Sequence, residues 1–503
     1  MASQELVWAT SILLAVYAAV ILFFVVRGAL RTQSISDYAV GSIRFSPTTV
    51  GLSLAASTTS AATFVINPGF IALYGLSGVL SFAVVMPLGV FISLTILTKS
   101  FRSHGTTVKA LTMAQWMGKR YESKGYSIFF GFLSLLLITF IVLICVGMTK
   151  VMAKALNADE WWVLLALVAF VFGYMMFGGA NSMVYTNSMQ AVLMVVVAFI
   201  LLGSGYEHFS AGVHGFLDKL AAVDPLLTQV PNPASFLFRD YFEIVFCAFV
   251  VGIAIVCQPH IITKSLLLQD ERDVNRYLTV AILVQTVFFA VVVTGLYARL
   301  RFPDLAIDGG ALKMDGIIPA YVVQEFPVYI GLVVILGLLS AGLSTLEGLI
   351  QSVPTSITSD IIEPLFGRRL GVEAERGRRL VFINKFVIAG VALVSVWLSW
   401  DQLVSPSLSV GIFAQNGVYA YFSAAFVPIL LGMFFPKAPR LAALVAAPIA
   451  VAVHFSMYYG KIAVPGTLAT GENPGVAAAV AILVSVVVGG AIVAFGRRDD
   501  VPS

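Results

Sequence analysis

The chain has 503 residues, 59% of them hydrophobic and 11% charged, and a net charge of +4. Soluble globular proteins carry about 25% charged residues and fewer than half apolar ones, so an ordinary soluble domain is excluded. The basic excess is scattered over short segments between apolar blocks, a distribution that reports membrane topology and offers no nucleic-acid partner.

In chain order, residues 1–6 hold Glu5 and neither Lys nor Arg. A cleavable signal peptide has a basic start and a small-residue cleavage site, so the apolar block from Val7 reads as a retained span. A helix crossing a bilayer takes about 20 apolar residues, and on that measure the sequence predicts about thirteen spans. They lie near 7–26, 48–70, 77–98, 126–149, 160–177, 183–204, 242–263, 275–298, 328–362, 380–399, 404–434, 441–460 and 474–496. No soluble domain fits between them, so the chain reads as one membrane domain. Residues 111–121 (LTMAQWMGKRY) are too short and too charged to span and read as an amphipathic helix at the cytoplasmic surface. Cys145, Cys247 and Cys257 stand alone in apolar stretches, with no metal-ligand spacing and no disulfide framework.

An odd number of spans puts the termini on opposite sides, and the positive-inside rule chooses between them. With the N-terminus outside, the inner segments hold Arg27, Arg31 and Arg44, the cluster from Lys99 to Lys124, and Lys264, Arg272 and Arg276. The basic segment 364–379, Lys385, Lys437, Arg440, Arg497 and Arg498 join them, leaving the longer segments 205–240 and 300–326 outside. The reading is therefore a multi-pass plasma-membrane protein with its N-terminus out and its C-terminus in the cytoplasm.

Two spans carry interruptions. The second packs Ser53, Ser57, Thr58, Thr59, Ser60 and Thr63 into eleven residues and ends in Asn67-Pro68-Gly69. The seventh holds Gln258-Pro259-His260 inside an apolar run. Proline removes a backbone donor and clashes with the preceding turn, and lipid tolerates irregular backbone only beside a cavity or within the bundle. Small and polar residues are also ordinary in membrane helices. The spacing adds weight, because the two spans stand five apart, as an inverted repeat of five plus five helices requires.

These segments, together with 35–44 (ISDYAVGSIR), 178–190 (GGANSMVYTNSMQ) and 340–351 (SAGLSTLEGLIQ), resemble the sodium:solute symporter family in order and spacing. The resemblance covers nearly the whole chain. It implies an all-α integral membrane fold of the neurotransmitter:sodium symporter type. The five-plus-five core spans about 48–434, with one extra N-terminal helix (7–26) and two extra C-terminal helices (441–496). It also implies a sodium site between the second and ninth spans, with backbone carbonyls of Ala56, Thr59 and Ala341 and the hydroxyls of Ser344 and Thr345 as ligands. The residues agree with that. Hard cations take oxygen ligands, and Ala341, Ser344 and Thr345 share one helical face.

Departures from the family pattern are informative. Relatives that bind a second sodium ion place an aspartate where this chain has Asn187, so one ion per cycle is expected. The proline transporters have an aspartate where Thr58 stands. Glu347 is an added intramembrane carboxylate, and such groups are functional candidates by default. It offers a proton or second-cation site or compensates for Asn187; the plainer alternative is a protonated group bonded within the bundle, or one reaching water at the cytoplasmic end, replaceable by Gln without effect on transport.

The solute site is expected to draw on Ser57, Thr63, Gln258, His260, Gln415 and Asn416, closed over by aromatic residues such as Phe64, Phe413 and Tyr419. No Lys or Arg is expected in the middle of these spans, so a carboxylate would be held by helix N-termini, hydroxyls and amides. The expected function is sodium-coupled import of a small organic solute, a monocarboxylate, pantothenate or an amino acid. Sodium is the coupling ion, no organic cofactor is needed, and a monomer is the transport unit. Proton coupling through Glu347, with or without His260, and a transporter-like sensor are the alternatives; no signalling module is expected after Arg498. An enzyme is disfavoured, with no metal cluster, nucleophile–base pair or phosphate loop in the sequence.

Overall fold

The computed structural model describes residues 3–30, 34–41, 45–108, 110–268, 270–307, 309–367, 373–405 and 409–495. Arg31, Arg44, Lys109, Arg368, Arg369, Arg497 and Arg498, used above to orient the chain, lie outside the described residues. Apart from one two-stranded hairpin, Ala306–Ile307 with Gly310–Ala311, and an isolated bridge between Ala463 and Thr470, the described secondary structure is helical.

Ten helices are long and apolar enough to cross a membrane, and two bent helix pairs raise the number to as many as twelve. Glu160–Met175 is apolar but has only 16 residues, below the length that crosses a bilayer without local thinning. Burial separates the helices. In Val410–Phe434, 89% of the apolar window is buried within the protein, whereas in Gln4–Ala29 only 22% is. Trp8, Phe23, Phe386 and Trp397 stand outward on peripheral helices. A helix that is apolar all round and still exposed has lipid as its solvent. The chain is a multi-pass membrane protein.

Both interruptions seen in the sequence are real bends with identifiable causes. Pro47–Thr58 and Ala62–Tyr74 meet at 53°. Thr59 is extended (φ −104°, ψ 104°), and the Ser60 hydroxyl accepts from the Ala62 N–H at 3.1 Å, capping the second half. The break therefore falls at Thr59–Ala61, not at Asn67-Pro68-Gly69, which sits within the second half. Phe242–Ile255 and Pro259–Leu267 meet at 60°. Here Gln258 is pushed to extended backbone (ψ 138°), as the residue before a proline is.

The first half of the first broken span packs on Ala180–Gly203 and Val274–Arg301, and the long helix Val328–Phe366 packs on Ala180–Gly203 and Lys124–Leu156. The chain approaches itself closely enough to require glycine at several points, two of them beside the first broken span. A Cβ on Gly295 would meet the Pro68 carbonyl at 2.1 Å, and one on Gly75, whose φ is +64°, would meet the Leu227 carbonyl at 2.0 Å. Asp315, in the segment before Ile317–Glu325, accepts from the Ser409 hydroxyl at 2.8 Å and the Val410 N–H at 3.3 Å, with Lys150 at 3.6 Å. That carboxylate caps Val410–Phe434 and ties the 300–326 segment to it.

The helix read from residues 111–121 forms as Met113–Arg120, with Thr112 as its cap. It is wedged into the protein instead of resting on lipid. Trp116 is fully buried, Thr112 donates to Asp360 at 2.8 Å, and Arg120 donates to the Gly432 carbonyl at 2.7 Å.

Candidate cation and solute site

The break at Thr59–Ala61 frees backbone oxygens of the first broken span, and the long helix answers with hydroxyls. The Ser344 hydroxyl lies 2.9 Å from the Ala56 carbonyl and 3.1 Å from the Ala341 carbonyl. Thr345 donates to the Ser57 carbonyl at 3.1 Å, one residue along from the Ala56 carbonyl. Thr59, in extended backbone, has its carbonyl out of the helical ladder. All six residues are buried. Their oxygens are neutral, of the hard type that suits a small cation.

Between the two breaks lies a cavity of about 80 Å³. Thr63, Gln258 and Gln415 line it, as do Thr58, Ser60 and Asn67, with Phe82, Phe140 and Tyr419 supplying aromatic walls. Its lining holds no charged side chain. The Gln258 amide donates to the Ile255 carbonyl at 3.1 Å and leaves its oxygen without a protein partner.

The Sodium:solute symporter family model matches residues 38–469. The chain belongs to that family. It is 25% identical over 442 residues to the sodium/pantothenate symporter of Haemophilus influenzae, covering 85% of each chain. To the sodium/proline symporter of Staphylococcus aureus it is 21% identical over 433 residues, covering 84% of this chain and 80% of the other. A Na+-coupled sialic acid symporter, solved substrate-bound and outward-open, superposes with a TM-score of 0.74 at 17% identity, covering 97% of this chain and 98% of that one. The fold is shared. These relatives are symporters, not enzymes, and this member of the family is a transporter.

Three residues expected at the solute site point elsewhere in this symporter. Ser57 faces the long helix, where its hydroxyl donates to the Ser344 carbonyl at 3.1 Å. Asn416 turns to the next helix, bonding His454 at 3.1 Å and Tyr459 at 3.3 Å. His260 lines a separate cavity with Thr112, Gln351 and Thr355, and neither of its ring nitrogens has a protein partner. Of the aromatic candidates, Tyr419 lines the solute cavity, whereas Phe64 packs edge-on against Phe288 at 5.5 Å.

Lys264 counts as a cytoplasmic residue in the topology argument, and no Lys is expected inside these spans. The structure buries it at 3% exposure. Its ammonium donates to the Ser53 carbonyl (2.9 Å), the Ser53 hydroxyl (2.8 Å) and the Ser57 hydroxyl (2.5 Å). Asn187 lies beside it. The neighbours orient its amide, with the oxygen toward Lys264 at 3.2 Å and the nitrogen donating to Glu347 at 2.9 Å and Gln190 at 3.0 Å. Glu347, fully buried, also accepts from Tyr174 and Thr186, each at 2.6 Å, and from Gln190 at 3.3 Å. The sequence reading names no partner for Glu347; in the fold four donors serve it, with Lys264 beyond the Asn187 amide.

Proposed function

We propose that this protein is a sodium-coupled symporter that imports a small organic solute by alternating access. The observation that carries the reading is the meeting of Ser344 Oγ with the carbonyls of Ala56 and Ala341 at the break of a membrane helix. Unwound backbone near the middle of a span is how transporters present oxygens to a coupling ion. Ala56, Thr59, Ala341, Ser344 and Thr345 form the ion site in this reading. The architecture proposed with it is a single domain of thirteen spans, with a five-plus-five inverted core between about 48 and 434. The N-terminus is outside, the C-terminus in the cytoplasm, the membrane is the plasma membrane and the monomer is the transport unit.

For the solute, we favour a carboxylate-bearing molecule of pantothenate type. The pantothenate-carrying relative covers most of the chain, and the cavity is walled by amides, hydroxyls and aromatics. The carboxylate would be received by the N-terminal end of the Ala62–Tyr74 half-helix, and a solute hydroxyl or amide by the unpartnered oxygen of Gln258.

The deciding experiment is uptake by proteoliposomes from a panel of radiolabelled carboxylic acids, amino acids and sugars, with and without an inward sodium gradient. One solute accumulating only with sodium is the expected result; accumulation driven equally by a proton gradient alone would defeat the reading. Sodium should also stabilise the purified protein. An ion that binds only the folded state adds RT ln(1 + [L]/Kd), about 1.4 kcal/mol at ten times Kd. Thermal unfolding in detergent should shift upward with NaCl and not with choline chloride of equal ionic strength, and coincident curves would count against a sodium site.

A further inference from the structure

A buried ammonium is costly unless it is compensated by charge and hydrogen bonds, so the surroundings of Lys264 ask for a role. Three protons leave an ammonium, and three acceptors take them at 2.5–2.9 Å: the Ser53 carbonyl, the Ser53 hydroxyl and the Ser57 hydroxyl. The Asn187 oxygen at 3.2 Å makes a fourth oxygen around the nitrogen. No proton is left over for a solute, and Lys264 is absent from the solute cavity lining. It is therefore no hook for a carboxylate. Four neutral oxygens closed around one positive charge is instead the surrounding that a desolvated monovalent cation takes.

That position is continuous with the proposed sodium site. Ser57 accepts from Lys264 and donates to the Ser344 carbonyl, while the Ser344 hydroxyl bonds the Ala56 carbonyl. The balancing charge lies on the other side of one amide, because Asn187 donates to the Glu347 carboxylate at 2.9 Å. With the lysine protonated and the carboxyl ionised, the cluster is electrically balanced.

We propose that the Lys264 ammonium is a tethered cation, filling a second cation position beside the sodium site, so that the protein couples to one sodium ion instead of two. The proposal rests on the sodium reading above. The tether also performs the mechanical task of such an ion, since it joins the distal half of the second broken span to the proximal half of the first.

The test needs no solute: binding of radioactive sodium to the full-length purified protein, counted per molecule. Wild type should bind one sodium ion at a sodium concentration at which Ser344→Ala, its site weakened, binds almost none. Lys264→Ala should bind two, because the Glu347 carboxylate and the vacated oxygens take a free ion. The double variant Lys264→Ala/Glu347→Gln should return to one, having lost the charge that holds the second. Wild type binding none overturns the sodium reading itself. Wild type binding two, or Lys264→Ala still binding one while wild type binds one, overturns the tethered cation and leaves the sodium reading standing. A second ion that persists in the double variant also overturns it. If Lys264→Ala does not survive purification in choline buffer, rescue of its folding by sodium is the expected result, and failure of sodium to rescue it overturns the proposal.

Discussion

Replacing Ser344 and Thr345 together by Ala should raise the sodium concentration for half-maximal uptake by about two to four orders of magnitude. The Ser344 hydroxyl sits 2.9 Å and 3.1 Å from two backbone carbonyls, and Thr345 is the next hydroxyl on the same turn. A hydrogen-bonding group facing a charge contributes about 1.5–3 kcal/mol, and every 1.4 kcal/mol is about a factor of ten in affinity. The helix should survive, since Ala is the better helix former at both positions. Thr95→Ala is the control, a hydroxyl bonded to its own helix at the Phe91 carbonyl and exposed on the outer face. Sodium dependence like that of wild type in a folded double variant would place the ion elsewhere in the protein.

The parts of this site that were legible in the sequence are those governed by local rules. Helical spacing alone puts Ala341, Ser344 and Thr345 on one face, and proline alone sends Gln258 to extended backbone. The break at Thr59 was readable as a serine–threonine cluster but not its register, because the cap that fixes it, Ser60 to the Ala62 N–H, competes with Asn67-Pro68 only in three dimensions. Long-range partners decided the rest. Asn416 lies in the right helix for the solute cavity but is drawn away by His454 and Tyr459 from the following helix. Lys264 ends an apolar run, and a basic residue in that place scores as a cytoplasmic flank under the topology rule. Its long stem carries the charge back into the bundle, to serines 211 and 207 residues earlier in the chain. No periodicity marks such a contact.

The same missing contact reverses the expectation for Glu347. An isolated carboxyl in an apolar interior favours its neutral form, and a Gln of the same shape would replace it with little effect. Glu347 is not isolated. Tyr174, Thr186, Gln190 and Asn187 all direct protons at its two oxygens. Lys264 stands on the other side of the Asn187 amide, whose oxygen faces its ammonium at 3.2 Å. In Glu347→Gln the amide nitrogen is a donor placed among donors, and the ammonium loses its balancing charge. Removing one partner of a buried ion pair in direct contact costs about 3–5 kcal/mol; with the Asn187 amide between these two charges the loss is smaller, and this variant should melt below wild type and lose most of its transport. Removing both charges should be far milder, since a buried pair replaced by neutral groups of similar volume is often close to neutral. Lys264→Met/Glu347→Gln should therefore recover much of the melting temperature that Glu347→Gln loses, although it lacks two native side chains instead of one. Thermal unfolding of the wild type and the two variants in detergent, at one sodium concentration, measures this directly. A Glu347→Gln protein as stable as wild type, or a double variant less stable than the single, would mean that the two charges do not sense each other across Asn187.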